Sequence, residues 1–347
     1  MYKNKYLKYK NKYLNIKMAN MSGGLTKKEI ADGIISIKKM KEEDTDAIFK
    51  QRLQTYNLSH LPIITDFITH FPEYYLYLNA ELKKEYKLAL LYIDNHTERN
   101  RIFGNLPEEL KNDQKFVKEA ATKNGRILFE ISKFGDDIDV VKAAVSNLPL
   151  SIKYANPIMR GNIDIANIIL SSNDISSIQH LKNPALADET FIIAALKKYG
   201  KISEYMDKGL YNNRKVALAY FIHNSDSLDK FPLFKNDNDV VLAAVNKHGS
   251  NLQYASPELQ NKKNIVLAAV NNHGSNFRFA SPELKEDTDV IIQAFIQGGP
   301  DSLIGISDLK KNKIDKVMGD FMIKNKTIDA SKQNTLIGLI KKELNKP

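Results

Sequence analysis

The sequence predicts an all-α protein: a right-handed α-solenoid of about eight 25-residue repeats, each made of two helices. Residues 239–263 and 264–288 align without gaps and are identical at 15 of 25 positions. Weaker copies extend this array over residues 99–309. A fixed period of this size is typical of stacked repeats, in which each unit buries its apolar face against its neighbours. The composition, 43% hydrophobic and 27% charged with no cysteine, fits a folded protein without disulfides or cysteine zinc sites.

The first half of each repeat is predicted to be a helix. Asp239 is of the N-cap type, because a carboxylate can accept hydrogen bonds from the free N–H groups of the first turn. One helical face then carries Val241, Ala244, Val245 and His248. The small pair Ala243-Ala244, repeated as Ala268-Ala269, leaves room for a neighbouring helix to approach closely.

Glycine is predicted to end this helix. Gly249 and its counterpart Gly274 stand where a left-handed residue commonly terminates a helix. A second helical segment follows, with Leu252, Ala255 and Leu259 on one face. This segment is predicted to start a new helix at Ser256, which is the N-cap. Pro257 follows at the first helical position and Glu258 is an acid in the first turn, and Pro282 stands at the same position of the next repeat.

The flanking regions lack this 25-residue period. We predict a basic helix and Gly-Gly hinge at 1–24, a helical region without repeats at 25–98, the solenoid at 99–309, and a basic helical cap at 310–347. The formal charge is +8 for residues 1–28, +6 for 310–347 and −4 for the remainder, within a total of +10. Any attraction to polyanions therefore belongs to the two ends.

The N-terminal segment repeats every seven residues. Its contact candidates, for a partner or a polyanion, are Tyr2, Lys3, Lys5, Tyr6, Lys8, Tyr9, Lys10, Lys12 and Tyr13. A tyrosine stripe opposite lysines suits a docking or coiled-coil helix, a nucleic-acid-binding arm, or a helix on a membrane surface. A flexible charged tail is the fourth alternative. Gly23-Gly24 reads as a hinge, and a cleavage point for a viral protease is a further hypothesis.

No motif in the chain indicates catalysis. His248 and His273 hold equivalent positions and suggest metal ligands or pH sensors, but a histidine near a helix C-terminus is also favourable for the helix dipole. We expect no catalytic residue, cofactor or metal, since phosphate-loop and zinc-ligand spacings are missing. The positions assigned to structure are Asp139, Asp239, Ala243, Ala244, Gly249, Pro257, Ala268, Ala269, Gly274 and Pro282, and Asp164 and Asp289 are expected to cap in the same way.

Two segments carry a resemblance. The repeat, an acidic cap before VVLAAV and then HGSNLQYASPEL, resembles the uncharacterised helical repeat called domain of unknown function 4116, abundant in mimivirus-like giant DNA viruses. The opening Tyr2–Lys17, closed by Gly23-Gly24, is similar to an N-terminal segment shared by many otherwise unrelated proteins of those viruses. The resemblance implies a giant-virus origin, hence location in the host cytoplasm, a viral factory or the virion, and it implies no reaction.

The sequence favours a non-catalytic scaffold or adaptor that binds another protein, viral or host. A nucleic-acid-associated or virion-core protein that uses the basic ends is the alternative. An enzyme with an unrecognised site in residues 26–98 or in the solenoid groove is the third. No apolar run has the length of a membrane-spanning helix. The identity of the partner and the oligomeric state, including self-association, stay open.

Overall fold

The computed structural model describes residues 50–51, 53–58, 61–95, 101–325 and 330–346. Every regular element among these residues is an α-helix or a 3-10 helix, which confirms the all-α class. The helix and hinge predicted for 1–24 lie outside the described residues. None of the described helices is long and apolar enough to cross a membrane. The chain forms two compact units, Met1–Arg160 with Ser171–His180, and Gly161–Leu170 with Leu181–Pro347.

The first unit alternates long helices with 3-10 segments and short helices. Its long helices are Leu61–His70, Tyr86–Asn95, Gln114–Lys123 and Ile138–Asn147. Its 3-10 segments are Pro72–Tyr77, Phe103–Asn105, Gly125–Phe129, Ser132–Phe134, Pro149–Tyr154 and Ile175–His180, and its short helices are Ala80–Lys83, Glu108–Asn112 and Pro157–Arg160. The order of long helix, 3-10 segment and short helix already occurs at 61–83, within the region predicted to lack the repeat.

The second unit continues the same alternation. Its long helices are Ile163–Ser171, Glu189–Tyr199, Arg214–His223, Asn238–Lys247, Lys263–Asn272 and Thr288–Gly298. The 3-10 segments are Ala185–Ala187, Lys208–Asn212, Leu228–Lys230, Pro232–Phe234, Gly249–Tyr254, Gly274–Phe279 and Pro300–Ser302. Short helices at Pro257–Gln260 and Pro282–Lys285 and two C-terminal helices, Asp308–Asn325 and Ala330–Leu344, complete it.

In four repeats the N-cap lies two residues before the predicted cap, so the long helix begins one residue before it. Asp237, not Asp239, is the N-cap, and its carboxylate accepts hydrogen bonds from the N–H groups of Asp239 and Val240. Asp139, Asp164 and Asp289 are corrected in the same way, since their helices are capped by Asp137, Asn162 and Asp287. The physical reason is that both residues of an Asp-x-Asp or Asn-x-Asp pair can cap, and the first one has its oxygen within reach of two amides.

The caps recur at a nearly constant interval. The successive N-cap residues are Asp113, Asp137, Asn162, Asp188, Asn213, Asp237, Lys262 and Asp287, spaced by 24 to 26 residues. Seven of these eight carry a side-chain oxygen suited to capping. Lys262 is the exception, and its helix begins without a side-chain cap.

The second half of a well-preserved repeat is a 3-10 segment followed by a short helix. Ser256 and Ser281 are N-caps with proline at the first helical position, as predicted for Pro257 and Pro282. Ser281 accepts a hydrogen bond from the N–H of Leu284. The serine N–H groups bond to the preceding repeat, Ser256 to the carbonyl of Lys235 and Ser281 to that of Gln260.

The buried face of the long helix differs by one residue from the predicted face. Val240, Val241, Ala244 and Val245 are fully buried, whereas His248 is exposed. The helix ends at Lys247, so His248 has extended backbone angles and no longer follows the helical register. The face predicted for the second half is correct, with Leu252, Ala255 and Leu259 all buried.

Gly249 is not the left-handed residue that the sequence predicts, and neither is Gly274. Among the described glycines only Gly200, Gly299 and Gly305 have positive φ. Gly249 instead opens the 3-10 segment, and a Cβ atom there would lie 2.6 Å from the carbonyl oxygen of Ala269 in the next repeat. The same holds for Gly274 against Ala294 at 2.6 Å, so these glycines are needed for close packing between repeats.

The last helix covers the end of the second unit. Ala330–Leu344 packs against Thr288–Gly298 and against Asp308–Asn325. It buries Leu336, Ile340 and Leu344 in doing so.

Candidate partner-binding surface

Polar side chains link the N-terminal ends of consecutive long helices. In five of the seven consecutive pairs of repeats, the first helical residue of one repeat bonds to the N-cap residue of the next, and we call this set the N-edge ladder. Its bonds are Gln114 Nε2 to Asp137 Oδ2 at 2.6 Å, Asn213 Nδ2 to Glu189 Oε2 at 2.6 Å, Arg214 Nε to Asp237 Oδ2 at 2.6 Å, Lys262 Nζ to Asn238 Oδ1 at 2.7 Å, and Lys263 Nζ to Asp287 Oδ2 at 2.9 Å. In the other two pairs the first helical residue is apolar, Ile138 or Ile163.

Opposite charges reinforce the ladder. Arg214 also reaches Asp239, Nη2 to Oδ2 at 2.6 Å, and Lys263 also reaches Asp289 at 2.9 Å. The hydrogen bond from Arg214, reinforced by its charge, lowers the pKa of Asp237. The pKa of Asp289 is lowered by Lys263 first and then by Lys341 of the last helix, whose Nζ lies 3.1 Å from Asp289 Oδ1.

The ladder is complementary even where its residues change. A donor on the first helical residue meets an acceptor at the next cap in the Arg214–Asp237 pair, and this polarity is reversed in the Glu189–Asn213 pair. The reversed arrangement explains why a lysine is tolerated at cap position 262, because Asn238 supplies the oxygen it needs. Residues that satisfy one another in this way hold adjacent repeats in register, so this edge is structural.

A buried asparagine, which the sequence analysis missed, ties the 3-10 segment to the long helix. Asn251 is 2% exposed, and its Nδ2 donates to the carbonyls of Ala244 and Asp226, each at 3.1 Å. Its Oδ1 accepts from the N–H of Leu228 at 2.7 Å. Asn276 repeats the bond to the carbonyl of Ala269 at 2.9 Å. The sequence contains a signal for this role, because both HGSN turns have asparagine at the same position.

The other predicted structural positions have local roles. Asp139 and Asp239 lie exposed in the first turn, where Asp139 pairs with Lys118 at 3.2 Å. Ala244 and Ala269 are fully buried, and Ala243 and Ala268 are half-buried. The tyrosines and lysines predicted as contacts between Tyr2 and Tyr13 lie outside the described residues.

The two histidines are held by their own turns. The Nδ1 atom of His248 lies 2.6 Å from Ser250 Oγ, and that of His273 lies 2.7 Å from Ser275 Oγ. His273 Nδ1 also accepts from the N–H of Ser275 and so caps its 3-10 segment. Within the described parts of the chain, no three His, Asp or Glu residues are grouped as metal ligands would be.

A different surface lies on the 3-10 segments of the first unit, which pack on one another, and on the short helix Pro157–Arg160. We call it the aromatic edge, and it consists of Phe129, Lys153, Tyr154 and His180 of the 3-10 segments with Ile158 and Arg160 of the short helix. The rings of Phe129 and Tyr154 are 5.0 Å apart at an interplanar angle of 60°. Lys153 Nζ lies 4.7 Å from the centre of the Tyr154 ring. Arg160 Nε donates to the carbonyl oxygen of His180 at 2.5 Å. Phe129 is 62% exposed and Ile158 is 76% exposed.

The cations of the aromatic edge are not neutralised. Among the described residues no carboxylate lies within ion-pair distance of Lys153 or Arg160. Glu130, next to Phe129, accepts from the N–H groups of Ile102 and Gly104, and Asp174 accepts from Ser176 and Ser177.

The local field is correspondingly positive. The pKa of His180 is lowered by burial first and then by the charges of Arg160 and Lys153, with Asp174 acting in the opposite direction. The aromatic edge is therefore a positive, partly apolar surface.

Equivalent positions in the best-preserved repeats are polar. When the repeats are aligned on their buried residues Leu128, Leu252 and Phe277, Phe129 corresponds to Gln253 and Arg278 of the best-preserved repeats. Alignment on the Pro of each short helix places Ile158 where they have Glu258 and Glu283. The aromatic edge has thus replaced polar and acidic side chains by large apolar ones.

One feature of the aromatic edge, a cation over an aromatic ring, also occurs in the second unit. Arg278 lies over the ring of Phe279, with 4.5 Å between its guanidinium carbon and the ring centre, at the positions equivalent to Lys153 and Tyr154. The pairing of a cation with an aromatic ring therefore occurs in both units. The second unit also exposes an apolar residue at the position of Ile158, since Leu233 follows Pro232 and is 68% exposed.

Comparison with known proteins gives one match. Residues 213–260 and 262–309 each match the family model "Domain of unknown function (DUF4116)". No curated protein and no solved structure matches the chain. Each matched stretch contains two long helices, so the family unit corresponds to two of the 25-residue repeats. The repeat-bearing part of the second unit is therefore similar to this family.

Proposed function

We propose that the chain is a non-catalytic scaffold or adaptor, a right-handed α-solenoid that binds another protein in a giant-virus context, in the host cytoplasm, viral factory or virion. The observation that carries the proposal is the aromatic edge, where Phe129 and Ile158 are exposed at positions that are polar in the best-preserved repeats. An apolar side chain kept in water where the repeat pattern offers a polar one serves a contact rather than the fold.

The composition of the aromatic edge suits a protein interface. Aromatic residues and arginine are enriched at the centres of interfaces, where they form the anchors that carry most of the binding energy. Tyr154 and Arg160 are of this type. In the N-edge ladder, by contrast, the polar side chains bond to one another between adjacent repeats.

The proposal is tested by photo-crosslinking in infected cells. A photoreactive phenylalanine analogue replaces Phe129 in the full chain, and the same analogue replaces Leu233, an exposed apolar residue of the second unit, as a matched control. We expect one protein to be crosslinked in high yield at position 129 and not at 233. Equal crosslinking at both positions, or no crosslinked protein, would overturn the proposal.

The basic ends support a second candidate, a nucleic-acid-associated protein. Residues 1–28 and 310–347 carry net charges of +8 and +6. Deleting the C-terminal part would uncover the helix Thr288–Gly298, so the test replaces exposed lysines such as Lys311, Lys316 and Lys342 by glutamine instead. Binding to a single-stranded oligonucleotide that falls steeply with salt, and that weakens in this variant, would favour the candidate.

A further inference from the structure

We propose that the aromatic edge of the first unit binds an acidic, apolar peptide segment of a partner protein, with a carboxylate held by Lys153 and Arg160 and apolar side chains placed on Phe129 and Ile158. The inference rests on the proposed protein-binding function and names the chemistry of the partner.

The carboxylate position is defined by two cations. Arg160 uses Nε to bind the His180 carbonyl, so its two terminal nitrogens are left for another acceptor, and a guanidinium binds carboxylates in a two-point geometry. Lys153 is placed by the Tyr154 ring and has no carboxylate among the described residues. The 3-10 segment that holds Lys153 packs against the segment that ends at His180, and Arg160 is bonded to the His180 carbonyl, so the two cations lie in one region. Consistently, the charges of both lower the pKa of His180. A carboxylate bound there would oppose this effect.

Along the chain, Phe129 precedes both cations and Ile158 lies between them. Phe129 belongs to the repeat before Lys153 and contacts Tyr154, whereas Ile158 is the second residue of the short helix Pro157–Arg160. In the two best-preserved copies, 239–263 and 264–288, the position of Ile158 is glutamate, which would repel an acidic partner, whereas the copy before them has Leu233. The change from glutamate to isoleucine therefore removes a repulsive charge and adds apolar area at once.

The geometry disfavours single-stranded nucleic acid at this surface. Base stacking needs an open aromatic face, yet Lys153 lies over the ring of Tyr154 and Phe129 meets that ring at 60°. The aliphatic Ile158 has no flat face to offer. The chain between its basic ends also carries a net charge of −4, which does not attract a long polyanion.

The test is a selection from a displayed library of random 12-residue peptides on the immobilised full chain. Selected peptides are synthesised with a fluorescent label, and their affinities are measured by anisotropy for the wild type and for Ile158→Glu and Lys153→Gln. Each substitution installs the residue found at the equivalent position of the second unit, Glu258 or Gln253. Leu233→Gln is the matched control, and circular dichroism verifies that each variant is folded.

We expect the selected peptides to combine Asp or Glu with Leu, Ile or aromatic residues. Ile158→Glu and Lys153→Gln should each weaken binding about tenfold or more, as for interface anchors, while Leu233→Gln changes it less than about twofold. In histidine NMR spectra, a bound peptide should raise the pKa of His180.

Selection of basic or uncharged peptides, or of none, would overturn the inference, as would equal affinity in the variants. Binding of a 20-nucleotide oligothymidine that is lost in the same variants would replace the peptide by nucleic acid. A protein crosslinked at Phe129 together with a non-acidic peptide motif would leave the proposed function standing and refute only this assignment.

Discussion

The N-edge ladder and the aromatic edge are built from the same repeat but use their side chains in opposite ways. In the five bonded pairs of the ladder, donors and acceptors change from repeat to repeat, yet each change is matched across the contact, as in Arg214–Asp237 and Glu189–Asn213. At the aromatic edge, Phe129 and Ile158 stand where the best-preserved repeats have polar residues, and they stay 62% and 76% exposed although the Phe129 ring contacts Tyr154. Matched variation preserves a fold, and unmatched variation indicates a surface that contacts another molecule.

The largest effect on stability is expected from Gly249→Ala. The added Cβ would lie 2.3 Å from Asn276 Nδ2 and 2.6 Å from the Ala269 carbonyl oxygen, and Asn276 is itself held by that carbonyl. Neither neighbour can move without separating two repeats, so the free energy of unfolding should fall by about 3 kcal/mol, near the upper end for overpacked cores. Urea denaturation followed by circular dichroism measures it.

Gly319→Ala is the matched control. Gly319 lies within the helix Asp308–Asn325, and a Cβ there meets nothing within 4 Å. Alanine should stabilise this helix by about 0.5–1 kcal/mol, since it lowers the entropy of the unfolded chain. If Gly249→Ala were as stable as the wild type, the glycine would not be the close-packing residue described above.

Asn251→Leu should have the next largest effect. Leucine keeps the branching at Cγ, although it is larger, and leaves the N–H of Leu228 without its acceptor in the interior. An unpaired buried donor costs about 1–3 kcal/mol, and the same denaturation measurement reports it. Asn246→Leu, at an exposed position of the neighbouring helix, should change stability by less than about 0.5 kcal/mol. Similar losses in both variants would argue against a structural role for the buried amide.

Substitutions of Asp237 test the contribution of the N-edge ladder to stability. Asp237→Ala removes the N-cap and should lower stability by about 1 kcal/mol. Asp237→Asn keeps a capping oxygen and loses only the charge paired with Arg214, so its loss should stay below about 0.5 kcal/mol for an exposed ion pair. Equal losses would mean that the ion pair, and not the cap, holds this helix end.

The charge of Asp237 also predicts a pH dependence. Because Arg214 lowers the pKa of Asp237 in the folded state, its contribution is complete above the unfolded-state pKa of about 3.9. That contribution is lost as the pH falls through the lower folded-state pKa. The difference in unfolding free energy between wild type and Asp237→Asn should therefore be constant from neutral pH down to about 5 and shrink below about pH 4.

The sequence predicted the all-helical class and the first helix of each repeat, because they depend on local patterns that recur, but not the 3-10 segment that opens the second half. It misplaced the cap, since Asp237 and Asp239 have the same capping chemistry and the apolar register fits either start. It also misassigned Gly249, whose small size is required by Ala269, a residue of the following repeat. Sequence patterns can identify a glycine that follows a helix. Only the packed structure shows which backbone atoms of another repeat lie so close that no side chain fits there.

The sequence alone does not single out the residues of the aromatic edge. The rule that function lies where repeats disagree applies to Phe129 and Ile158, yet the sequence contains many other disagreements between copies. Burial separates them: Leu252 and Phe277 also differ, but both are fully buried and belong to the core. The unpaired state of Lys153 and Arg160 depends on distances to acids elsewhere in the fold, which no alignment of the copies provides.

The smallest effect on stability is expected at the aromatic edge, and it is the most informative. Ile158→Glu places a charged side chain where 76% of the isoleucine is already in water, so the free energy of unfolding should change by less than about 0.5 kcal/mol in urea denaturation. The same change should abolish crosslinking of a partner from position 129. Asp237→Ala should show the converse, a measurable loss of stability with crosslinking retained. A large destabilisation by Ile158→Glu would mean that this residue packs within the fold, and the contrast between the two edges would then fail.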